Sequence, residues 1–216
     1  MRLMFENLKR RPRWLAMFLI LAAVSVGIDM IDHPLVRKSV VDHLPASASR
    51  AERIAAAAWL DEEAPREQVF LPVRLLAGWL VFAGFLFSLC RIVGSREPFT
   101  FRQIWSLEVH SEAFILLGKI VTAAFALSTG EWRFFRGSPI GLAVLAGQAE
   151  FPLSGVLGSI NLFNFLYAGA LAAGLTVMCR FSAGKAIVVA GAAWGTAEAV
   201  NIAILGALGQ VMHLPL

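Results

Sequence analysis

Five apolar runs, each bounded by charged or turn-forming residues, divide the chain at about residues 14–31, 71–93, 105–128, 160–179 and 186–210. Runs of this length predict membrane-spanning helices, because about 20 residues rising 1.5 Å each cross roughly 30 Å of hydrocarbon. The first run opens at Trp14 behind the basic stretch Met1–Arg13. A basic start before an apolar run also describes a signal peptide. This run exceeds the usual apolar region of about 7–15 residues, and no A-x-A site follows, so it predicts an uncleaved signal anchor.

The intervals differ in character. Residues 32–70 carry seven acids after Ile31 and five bases, and predict an outer-side loop with two short helices. One is Leu35–Leu44, starting after Pro34. The other is Ser49–Glu63, where Ser49 and Glu52 have the capping-box spacing. Its alanine-rich centre and Trp59 suit a membrane surface. Pro72 stands at the start of the second span, a favoured position. Beyond the third span, residues 129–158 hold a polar turn with Trp132, Arg133 and Arg136. An apolar piece at 139–149, centred on Pro139–Gly147, follows that turn. It is too short to cross and predicts an interfacial or re-entrant segment. The turn Arg180–Lys185 joins the last two spans.

Composition sharpens the class. Of 216 residues, 58% are hydrophobic and 16% charged, against about 45–50% and about 25% in soluble domains. Without lipid that surplus could not be hidden. The expected fold is all-α: a single membrane domain over residues 1–216, a polytopic helix bundle of about five transmembrane helices. The formal charge of +4 changes the picture through its placement. With the N-terminus in the cytoplasm, the inner segments hold Arg2, Lys9, Arg10, Arg11, Arg13, Arg91, Arg96, Arg102, Arg180 and Lys185, with acids only at Glu6 and Glu97. That bias predicts a cytoplasmic N-terminus and an outside C-terminus. Bases at span ends orient helices, so no nucleic-acid partner is expected. Cys90 and Cys179 each precede an arginine at a cytoplasmic span end, where a structural disulfide is not expected.

Ionisable residues inside spans are costly and mark function or pairing. The third span carries Glu108, His110, Glu112 and Lys119, with Glu108 and Glu112 on one face toward the cytoplasmic side. Lys119 lies roughly 20 Å above the start of its span and Glu198 roughly 18 Å above its own. The two are expected to pair, with Asn161, Asn164 and Asn201 completing a buried polar cluster. Polar side chains bond across helices in lipid, so the cluster reads as helix–helix glue, or else as a proton or small-solute site. Only two of Glu108, His110 and Glu112 share a face and no fourth ligand is evident, so neither metal nor cofactor is expected. Gly191 and Gly195 form a GxxxG pattern in the fifth span. It predicts helix packing, either against the fourth span or in a dimer seam. No hydrolase elbow, Walker loop, HExxH or CxxC pair is present, so no enzyme activity is expected.

Three stretches carry a family resemblance. They are REPFTFRQIWSLEVHSEAFILLGKI from Arg96, FPLSGVLGSINLFNFLYAGALAAGL from Phe151, and CRFSAGKAIVVAGAAW from Cys179. Over residues 97–194 the chain resembles the Yip1-type membrane domain family, including its bacterial members. The resemblance implies five spans with the N-terminus inside and the C-terminus outside, and the 32–70 loop falls outside what it predicts. Eukaryotic members are trafficking proteins that bind small GTPases through cytoplasmic segments. This chain offers only a short basic arm there, so that role is not carried over.

Two functions fit. One is a non-enzymatic scaffold, partner or accessory subunit of a larger membrane assembly, in a bacterial inner membrane, with lipid and other membrane subunits as partners. The alternative is a small-solute, ion or lipid carrier using the polar cluster.

Overall fold

The computed structural model describes residues 2–42, 44, 47–130, 156–158 and 160–212. Among the described residues the main helices in chain order are α1 (Arg2–Arg10), α2 (Leu15–Asp42), α3 (Arg50–Val93), α4 (Phe101–Thr129), α5 (Leu162–Met178) and α6 (Ala183–Met212). No strand occurs among the described residues. Four helices, α2, α3, α4 and α6, are long and apolar enough to cross a membrane. The shorter α5, with 17 residues, reaches roughly 25 Å, the lower limit for crossing. The architecture is a polytopic all-α membrane bundle. The predicted 139–149 segment lies outside the described residues.

The stretch between the first two spans differs from expectation. α2 continues through Pro34 to Asp42, and α3 is one helix of 44 residues passing through Pro65 and Pro72. The short helix expected at Leu35–Leu44 is the end of α2, and the Ser49–Glu63 helix is the start of α3. A proline removes one backbone bond from a helix interior, a loss that flanking helix formers and tertiary contacts override here. In those contacts Arg37 Nε donates to Asp61 Oδ2 at 3.0 Å, and Arg53 Nη1 to the Val41 carbonyl at 3.0 Å. At 1.5 Å per residue α3 is roughly 66 Å long, so its first part projects with the end of α2 as a helical hairpin beyond the apolar bundle. Trp59 sits on this hairpin at 62% exposure.

The capping box forms. Ser49 Oγ accepts from the Glu52 amide at 3.2 Å and Glu52 Oε2 from the Ser49 amide at 2.6 Å. These bonds hold the Glu52 carboxyl below the usual range. A second box opens α4, where Thr100 and Gln103 exchange bonds of 3.3 and 2.8 Å.

Two buried clusters build the bundle, both served by α4. The first joins Phe18, Leu21 and Ala22 of α2 to Ala83 of α3 and to Trp105, Val109 and Leu116 of α4. Tilted and edge-on rings bind one end of it: Trp14–Trp105 centroids are 5.1 Å apart, Phe18–Trp79 5.7 Å and Phe101–Trp105 5.7 Å. The second cluster joins Leu86 and Cys90 of α3, Ile104 and Leu107 of α4, Leu171 and Leu175 of α5, and Ala186, Ala190 and Ala193 of α6. Both cysteine thiols are free and buried.

Glycine lets α4 and α5 approach closely. A Cβ on Gly174 would stand 2.2 Å from Leu107 Cδ1, and one on Gly118 would stand 2.9 Å from the Phe163 ring. Gly191 and Gly195 behave otherwise. A Cβ added to either would meet nothing within 4 Å beyond its own helix among the described residues. The expected contact with the preceding helix is therefore corrected: α6 packs inward through Ala186, Ala190 and Ala193, about 150° around the helix from the glycine pair.

Candidate functional site

The site grows from the middle of α4. Glu108 is 1% exposed and lies on the face turned to α5. There the Tyr167 hydroxyl donates to it, 2.8 Å from Oε1 and 2.9 Å from Oε2. Tyr167 is itself 4% exposed. A buried carboxyl costs free energy unless it is bonded, and this hydroxyl supplies the bond across the helix interface.

Glu112 follows one turn on, partly buried and on the same face. Its carboxyl is within hydrogen-bonding reach of Glu108 and within electrostatic reach of Lys119 and Glu198. Glu198 comes from α6, partly buried and close to the indole N–H of Trp194. His110 turns away from both glutamates. Its Nδ1 donates to the Ser106 carbonyl at 2.7 Å, so the three do not converge.

The remaining predicted residues are placed differently. Lys119 is exposed, and no ion pair joins it to Glu198 among the described residues. Because α4 starts at Phe101, Lys119 lies roughly 27 Å up its helix against roughly 22 Å for Glu198. Lys119 is instead also within electrostatic reach of Asp29 on α2. Near it in sequence, Asp32 is 3% exposed with Oδ1 unbonded among the described residues. Asn161 is the cap of α5: its Oδ1 accepts from the Asn164 amide at 3.0 Å, and its Nδ2 donates to the Gly158 carbonyl at 3.1 Å. Asn201 is exposed. The structure therefore brings together Glu108, Glu112 and Tyr167, with Glu198 in reach, while Asn161 caps α5 and Asn201 is exposed.

Sequence reasoning missed Tyr167. The available signal was its singularity, for it is the one tyrosine of the chain and it interrupts an apolar span.

A second constellation closes the end of the bundle where α1 docks. Lys9 of α1 and Arg180 both pair with Glu97, the arginine through Nε at 3.0 Å. Gln103 Nε2 donates to the Lys9 carbonyl at 2.7 Å. Phe5 and Leu8 of α1 are buried in the second cluster. Between the helix ends, Ser95 Oγ donates to the Cys179 carbonyl at 2.9 Å, and Lys185 Nζ to the carbonyls of Val93 and Gly94 at 2.9 and 2.7 Å. The two cations hold the Glu97 carboxyl below the usual glutamate range. Arg180 takes this role from a left-handed backbone conformation, φ 53°, which costs a non-glycine residue about 1 kcal/mol or more. All three segments expected in the cytoplasm thus meet at one end of the bundle.

Fold and site define a helical, polytopic membrane protein with a sealed polar link in its core. The model of the Yip1 domain matches residues 2–204, and the chain belongs to that family. The match covers the 32–70 stretch as well, so the resemblance extends beyond the 97–194 region and the hairpin lies within the family domain. No curated protein and no solved structure matches the chain.

Proposed function

We propose that this protein is a non-enzymatic accessory or scaffold subunit of a larger membrane assembly, in a bacterial inner membrane, and that it meets a neighbouring helix through α6. The observation that carries the reading is the GxxxG of Gly191 and Gly195, where an added Cβ would meet nothing within 4 Å beyond its own helix among the described residues. Flanking side chains on the same helix, Ile187 and Val188, are also exposed. In lipid, small residues at this spacing admit a second backbone closely enough for dispersion contacts to hold it. The sealed Glu108–Tyr167 bond supports the same reading, since a saturated polar link acts as glue between α4 and α5.

The test is a Gly191→Ile, Gly195→Ile double variant in mild detergent. Wild type is expected to run as a stoichiometric complex, with itself or another membrane protein, and the variant as a folded, smaller species. A wild-type protein that purifies as a clean monomer defeats the reading.

One observation favours the alternative, a small-solute, ion or lipid carrier. Glu112 is partly buried and senses Glu108, Lys119 and Glu198 from two helices. For a carrier, Lys119→Met and Glu198→Leu should each abolish transport while the fold persists.

A further inference from the structure

The docking of α1 leaves an open cleft of about 780 Å³ at the cytoplasmic end of the bundle, between α1, the start of α4 and the end of α5. Its charged lining is Lys9, Arg10 and Arg180 against Glu6, with Thr176 and Val177 on the α5 wall. Lys9 and Arg180 already share Glu97, so that carboxylate offsets part of their charge. Arg10 is exposed at the rim, and Arg11 and Arg13 follow it directly. The balance around the cleft stays positive.

Two further observations locate the cleft relative to lipid. Leu3 of α1 is 77% exposed and Met4 is also exposed, although Phe5 and Leu8 on the other face are buried. A short amphipathic helix with apolar side chains on both its docked and its free side lies stably at the headgroup–acyl boundary and poorly in water. The second observation is on α5. Leu166, Gly169, Ala173 and Val177 are spaced three, four and four apart, one face of the helix. Leu166 and Gly169 are exposed, Ala173 and Val177 line the cleft, and a Cβ added to Gly169 would meet nothing described within 4 Å beyond its own helix. The stripe forms an open apolar lane running from the lipid-facing side of the bundle into a basic cleft.

We propose that this cleft binds the phosphate headgroup of an anionic phospholipid of the cytoplasmic leaflet, with one acyl chain lying along the α5 lane. Arg10 and Arg180 supply charge to the phosphate, Thr176 a hydroxyl, and Val177 marks where headgroup gives way to chain. Basic pockets between helices on the cytoplasmic side suit such headgroups, and each cation near the surface counts for about a fivefold gain in affinity.

The full chain, purified in detergent, is presented with phosphatidylglycerol or phosphatidylcholine, and the lipid retained is read by native mass spectrometry. Phosphatidylglycerol is expected to be retained preferentially. Arg10→Gln, which removes no ion pair seen among the described residues, is expected to lower that retention about fivefold. Thr176→Phe fills the cleft without changing charge and is expected to lower it too. Should Thr176→Phe misfold by its melting profile, Arg10→Gln decides alone. Equal retention of the two lipids, or a preference unchanged by Arg10→Gln, overturns the proposal. So does complete displacement of phosphatidylglycerol by millimolar inorganic phosphate, which would make free phosphate the ligand.

Discussion

At the scale of residues, the decisive contact is the one hydroxyl of Tyr167 bridging both oxygens of Glu108. Tyr167→Phe leaves a buried acceptor without its donor and is expected to cost about 1–2 kcal/mol, measured by unfolding in a lipid–detergent mixture. Pairing it with Glu108→Leu should recover part of that loss, because an apolar pair leaves nothing unsatisfied. A double variant as unstable as the sum of the single ones would show that the two groups do not act together. Gly174 is the complementary case. The Cβ of Gly174→Val meets three Leu107 atoms at 2.2–3.0 Å, including the branch carbon. Leu107 is fully buried and has no room to yield, so a loss of about 1–3 kcal/mol is expected. Gly169→Val, facing open space, should leave the melting profile nearly unchanged.

At the scale of elements, the fastening of α1 depends on one acid between two bases. Glu97 is depressed below its ordinary value of 4.5 by Lys9 and Arg180. A group depressed on folding stabilises above its unfolded value, and that contribution disappears as pH falls through the folded one. Docking of α1 is therefore expected to be intact at neutral pH and to loosen only in acid, below the ordinary glutamate range. Hydrogen exchange of residues 2–10 should rise there, and Glu97→Gln should show the raised exchange already at pH 7. If exchange in wild type is flat across that window, Glu97 does not hold the helix. The long α3 makes a different point. Its apolar second half was legible in the sequence, and so was its Ser49 cap. The missing break at Pro65–Pro72 was not, because prolines end helices on average and only the partner α2, through Arg37 and Val41, says otherwise here.

At the scale of the whole molecule, the bundle has a chemically marked polarity. The N-terminal arm, the 94–100 turn and the 179–185 turn converge, and the α2–α3 hairpin stands at the far end. Reporter fusions are expected to place the first three in the cytoplasm and residues 42–50 outside. A reporter at residues 42–50 that reads cytoplasmic would invert the assignment.

The membrane class and the all-α helix bundle were properties of the sequence alone. Apolar runs of fixed rise must match the hydrocarbon thickness, and cations settle at one face whatever the packing. Which polar groups meet was decided only by tertiary structure. Depth can be counted along a helix, but the partner depends on how each helix is rotated about its axis. Rotation is set by packing: Gly174 receiving Leu107 turns α4 and α5 so that Glu108 faces Tyr167. The alanine seam of α6 then directs Gly191 and Gly195 outward, away from the chain that carries them.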